Sequence, residues 1–148
     1  MVSPLETHLG YWLRFVSNHV SHAFSLKLEA RAVTVAEWVI LRDLYGCDST
    51  APSELADRLG MTRGAISKLA DRLIAKSLVA RSASDGDRRY QALALTPAGR
   101  ALVPELSALA DLNDAEFFGH LRPEEAAVIE RTMKEIVRRQ KLRTIPIE

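Results

Sequence analysis

The chain of 148 residues is about one domain long at the usual 100 to 200 residues per domain, and its 47% hydrophobic and 26% charged content excludes a disordered or collagen-like chain. Seven Gly and six Pro are too few for a turn-rich all-β sandwich, and the wealth of Ala, Leu, Arg and Glu favours helices, where these side chains lose little entropy. The net charge of +1 conceals an uneven distribution, since residues 53–100 hold nine Lys/Arg against five Asp/Glu and the remainder 11 against 14, a basic centre of the kind a polyanion attracts.

In chain order, Leu5, Leu9, Trp12, Leu13, Phe15, Val16, Val20, Phe24 and Leu28 recur at helical spacing with no proline from Leu5 to about Arg31, which predicts one long helix with a wide apolar face. Thr34 is an N-cap for a second helix, Val35 to Tyr45, which Gly46 stops. Pro52 opens a short third helix that ends at Gly60. Thr62 then caps a fourth, Arg63 to Lys76, with Ala65, Ile66, Leu69, Leu73 and Ile74 inward and Arg63, Ser67, Lys68, Asp71 and Lys76 outward. Two helices joined by so tight a glycine-containing turn form a helix-turn-helix.

Beyond Lys76 the period changes. Leu78 to Ala80 and Tyr90 to Leu95 read as two strands around a polar stretch containing Asp85, Gly86, Asp87, Arg88 and Arg89, a hairpin with a basic tip. Thr96 and Pro97 start a long helix to about Leu121, with a bend expected at Pro104, and Pro123 opens a last helix to about Leu142. The expected fold is therefore mainly α with a small β-wing: one domain over 1–148, with a winged helix-turn-helix lobe at 34–100 and terminal helical segments at 1–31 and 101–148.

The order helix, turn, helix, hairpin carries its own chemistry. A second helix of this kind fits the major groove of B-DNA, and the adjacent hairpin offers a cationic tip to the minor groove. The candidate contacts to double-stranded DNA are Thr62, Arg63, Gly64, Ser67, Lys68 and Arg72 on the helix and Asp87, Arg88 and Arg89 on the wing. Each has a plainer alternative: the helix charges as a solvated face, Gly64 as a first-turn residue where glycine costs little, and Asp87 with Arg89 as a pair that stiffens the loop. A winged helix that binds protein rather than DNA is the rival class; it needs no basic side chains gathered on one side.

The run Ser53 to Leu69, then Leu73, Leu78 and Val79, then Asp87-Arg88-Arg89 and Leu93-Ala94-Leu95-Thr96-Pro97-Ala98-Gly99, resembles the MarR family of bacterial transcription regulators. The likeness extends over nearly the whole chain, because that family also places one long helix before the DNA-binding lobe and two after it. It implies an obligate homodimer held by the terminal helices, a pseudo-palindromic operator, repression more often than activation, and frequent release by a small ligand. In that family the cleft between the first, second and fifth helices takes effectors, which here implies a small aromatic ligand beside His8, Trp12, Phe15 and Trp38. Read from the residues alone, the same aromatics serve equally as core or interface side chains. Dimerisation has independent support, since the apolar faces of the terminal helices exceed what one small lobe can cover; a monomer with a longer bundle is the alternative.

Other chemistry is not expected. No Ser/His/Asp set, glycine-rich phosphate loop or paired carboxylates points to an enzyme. His8 and His22 lie about 21 Å apart along a helix, too far to share a metal, and no cofactor is implied. Cys47 is alone, so no internal disulfide forms, and no cationic pattern beside it marks a redox switch. Without an apolar run near 18 residues, or a basic segment leading into one, a cytoplasmic protein with no membrane partner is expected.

Overall fold

A computed structural model of the chain describes residues 1–84 and 87–143, with side chains throughout except at 83–90. Six α-helices and one hairpin follow in order: α1 Leu9–Glu29, α2 Val35–Tyr45, α3 Pro52–Leu59, α4 Arg63–Ala75, β1 Val79–Ser84, β2 Asp87–Leu95, α5 Pro97–Phe118 and α6 Pro123–Arg139.

The caps explain most of these bounds. Thr34 accepts from the Glu37 amide while the Glu37 carboxylate accepts from the Thr34 amide, a reciprocal box that fixes the start of α2. The Thr62 hydroxyl accepts from the Ala65 amide at 3.1 Å and that of Thr96 from the Gly99 amide at 3.0 Å, so α4 and α5 begin where their sequences place them. Gly60 closes α3 at φ 65°, a left-handed conformation that an L side chain resists. Gly46 also ends α2, but at φ −83°, so its role there is not a left-handed turn.

Three expectations need adjustment. The first helix is broken: Leu5–Thr7 forms a separate 3-10 turn, closed by the Thr7 hydroxyl donating to the Pro4 carbonyl, and extended His8 precedes α1. The strands are longer than their apolar runs, because β1 continues to Ser84 and β2 starts at Asp87. Helices α5 and α6 each end three residues early, at Phe118 and Arg139.

The core lies where α1, α2 and α5 meet the helix-turn-helix, and Leu28, Ile40, Leu41, Leu44, Leu55, Ile66, Leu73, Leu93 and Leu106 are fully buried in it. β1 and β2 pair antiparallel with Val79 opposite Leu95, and Thr50 adds a third short rung by exchanging both backbone hydrogen bonds with Leu93. Gly99 sits against this sheet so closely that a Cβ would lie 2.1 Å from the Leu78 carbonyl oxygen. Between α1 and α5 the buried Asn113 donates to the Val20 carbonyl and accepts from Lys27, which also pairs with Glu116 at 2.8 Å. By contrast, no residue of α6 is buried.

Candidate nucleic-acid interface

Helix α4 is amphipathic in the sense its sequence predicts. Ile66, Leu69, Ala70 and Leu73 face the core, while Thr62, Arg63, Gly64, Ser67, Lys68 and Arg72 are all exposed. At three- and four-residue spacing, Gly64, Ser67 and Lys68 share one stripe, flanked by Arg63 and Arg72. Among the described residues none of Arg63, Lys68 or Arg72 has a carboxylate within ion-pair distance, whereas Asp71 is taken by Arg81 at 2.7 Å. That pair ties the base of the hairpin to the exposed helix. The backbone of Asp87, Arg88 and Arg89 lies in β2, the second strand after α4 in the chain order; their side chains fall outside the described residues.

A second tie holds the other end of α4, one that no local pattern in the sequence discloses. The Lys76 ammonium, at the C-cap, donates to both carboxylate oxygens of Glu37 at 2.9 and 2.8 Å and to the Ala32 carbonyl at 2.6 Å. Glu37 is fully buried. Burial pushes its carboxyl up, but the hydrogen bonds from Lys76 and Thr34 outweigh it and hold the group below its ordinary value of 4.5. Helix α4 is thus fastened to α2 by a charge pair whose carboxylate is buried, and to the α1–α2 turn through the Ala32 carbonyl.

The aromatic residues form two groups rather than one. Trp12 lies tilted against Phe15 with ring centroids 6.3 Å apart, its indole N–H donating to the Glu6 carbonyl at 2.9 Å, and His19 stacks on Phe15 at 5.0 Å. His8 sits at the N-cap of α1 with Nδ1 3.3 Å from the Leu5 carbonyl oxygen. Trp38 instead packs edge-on against Phe24 at 6.2 Å. Phe24 is twelve residues beyond Trp12 on the same helix, about 18 Å away, so a single chain does not bring Trp38 together with His8, Trp12 and Phe15. Trp38 does line an open groove of about 640 Å³ with Arg42, Cys47, Arg58 and Leu59. In that groove Arg58 grips Asp43 at 2.7 and 3.2 Å and donates to Thr50.

Among the described residues no three His, Cys, Asp or Glu side chains are grouped so as to hold a metal, and no helix is long and apolar enough to cross a membrane.

The MarR family model matches residues 33–90, the stretch from the start of α2 to the wing. The HTH-type transcriptional repressor MdtR of Bacillus subtilis is 34% identical over 98 residues, which are 66% of this chain and 63% of that protein. A solved structure of a mutant MarR from E. coli complexed with operator DNA superposes with a TM-score of 0.80 at 25% identity, covering 87% of this chain and 93% of that one. BpsR of Bordetella bronchiseptica, whose DNA binding is regulated by 6-hydroxynicotinic acid, superposes with a TM-score of 0.83 at 25% identity, covering 92% and 97%. With its winged helix-turn-helix and its exposed basic helix, the segment 33–90 is a MarR family domain, and MarR family members are DNA-binding transcription regulators rather than enzymes.

Proposed function

We propose that the chain acts in the cytoplasm as a homodimeric repressor on a pseudo-palindromic operator, with Arg63, Gly64, Ser67, Lys68 and Arg72 in the major groove, Thr62 at its edge, and the wing residues Asp87, Arg88 and Arg89 at the neighbouring minor groove. The observation that carries this reading is the exposed stripe of α4. Its cations have no acidic partner among the described residues, although Asp71 on the same helix is neutralised by Arg81. A helix face left cationic in this way matches a phosphate backbone and base edges. The lobe at 34–100 reads DNA, and 1–31 with 101–148 hold the dimer.

The second copy is argued from α6 and the start of α1. Val128, Ile129, Met133, Ile136 and Val137 on α6 and Leu5, Leu9, Trp12, Leu13, Phe15 and Val16 near α1 are each between 44% and 81% exposed, an apolar surface too large to stand in water. A two-fold operator needs two recognition helices, and a second copy supplies both the cover and the second reader.

An effector fits the same arrangement. The relative BpsR responds to a heteroaromatic acid, and here a ligand beside Trp38 would press on α2, to which Lys76 fastens the reading helix; the His8, Trp12 and Phe15 cluster would contribute where a second copy brings it close. Retention of duplex DNA, measured against salt for the native chain and for Lys68→Ala, tests the reading. Binding that weakens with salt, with a slope reduced by about one in the variant, supports it. No retention at low salt would leave the protein-binding winged helix standing instead.

A further inference from the structure

Gly64 is a glycine the protein itself does not require. It stands in the first turn of α4 with an ordinary right-handed backbone, since Gly60 is the one described glycine at positive φ. A Cβ built on it meets nothing within 4 Å. The contrast with other positions is sharp: Gly99 would collide with the Leu78 carbonyl oxygen at 2.1 Å and Gly119 with that of Ala115 at 2.4 Å. Neither conformation nor packing inside the chain therefore accounts for glycine at 64, and its place in the first turn lowers the cost of glycine without giving a reason for it.

Its surroundings supply the reason. Gly64 lies on the same stripe as Ser67 and Lys68, beside Arg63, in the face assigned above to DNA, and the inference rests on that assignment. A side chain at this point would project outward from the helix into whatever α4 docks on. We infer that Gly64 is the point of closest approach between the recognition helix and duplex DNA, where the missing methyl lets the helix seat fully in the groove. Gly10, the other helical glycine with open space around it, lies on the part of α1 assigned to the second copy, where a close approach has the same use.

The test separates folding from binding. The probe is the duplex that the native chain enriches most from a random-sequence library, with affinity measured by fluorescence anisotropy and folding by the melting temperature. Gly64→Ala keeps or raises the melting temperature, by up to about 4 °C, because alanine narrows the unfolded ensemble and suits a helix. The same change weakens DNA binding at least about fivefold, since a methyl group forced into a closed contact displaces its neighbours; Gly64→Leu, also acceptable to a helix, weakens it further. A lowered melting temperature for Gly64→Ala, or a loss of affinity under about fivefold, overturns the inference. Lys68→Ala distinguishes the two ways of failing: if it weakens binding while Gly64→Ala does not, only the role of Gly64 falls, and if neither does, the assigned DNA face falls with it.

Discussion

Replacing Lys76 by methionine isolates the half-buried pair that fastens α4 to α2. The fully buried Glu37 would keep its hydrogen bond with the Thr34 amide but lose its only described cation, along with two of its charge-assisted bonds. Breaking a buried pair by removing one partner costs about 3–5 kcal/mol; Lys76 is 36% exposed, so water reaches its position and the expected loss is nearer 2–3 kcal/mol. For a chain of this length that lowers the melting temperature by about 6–9 °C at fixed protomer concentration.

The loss also has a pH signature. In the native chain the Glu37 carboxyl is held below 4.5, so it contributes stability above that value, and the contribution disappears as pH falls through the native pKa. Without Lys76, burial is opposed by Thr34 alone and the carboxyl titrates higher. The penalty is then full at neutral pH and relieved as Glu37 takes up a proton. The gap between native and Lys76→Met should accordingly narrow from about pH 7 to about pH 4. Adding Glu37→Gln, which keeps an acceptor for Thr34 and removes the charge, should restore most of the loss. Thermal unfolding followed by circular dichroism across this range is the assay. A melting temperature within about 1 °C of native at neutral pH, or a gap that widens in acid, would refute the reasoning.

Three further outcomes are expected. Ile129→Glu on α6 should yield monomers in sedimentation at micromolar concentration while leaving the helical content nearly unchanged, because no residue of α6 is buried within the protomer; a stable dimer would reject α6 as part of the interface. Gly99→Ala should destabilise by more than about 2 kcal/mol, since its Cβ would meet backbone rather than a movable side chain, and an unchanged unfolding midpoint would contradict that packing. Titration of tryptophan fluorescence with aromatic carboxylates should reveal a ligand whose affinity falls in the presence of the enriched duplex by the same factor as the ligand lowers DNA affinity; equal affinity with and without DNA would remove that ligand as an effector.

What the sequence discloses and what it conceals follow from the range of the interactions. Thr34 and Gly46, or Pro52 and Gly60, act within one turn of their own helices, so α2 and α3 are legible to the residue. The break at His8 is not, because the apolar spacing of Leu5, Leu9 and Trp12 is the same whether the first turn is 3-10 or α. The outer halves of the strands escape notice because Arg81 to Ser84 carry no apolar alternation, although their backbone pairs with Asp87 to Leu93. The face of α4 is read correctly from its period, yet Lys76, which belongs to the outward set by that period, turns back to Glu37 across 39 residues of sequence. The tie of Asn113 to Lys27 and Val20, 86 and 93 residues away, is equally invisible to a local pattern. Trp12 and Trp38 are linked by the family resemblance rather than by spacing, and the length of α1 keeps them apart within a single chain.

Selection of binding sites from a random-sequence duplex library by the native chain tests the central claim most directly. A dimer that presents two copies of α4 on one face of B-DNA should enrich an inverted repeat whose half-sites are centred about 10 base pairs apart, one helical turn. Enrichment of no motif, or of a single asymmetric element bound by a monomer, would contradict it.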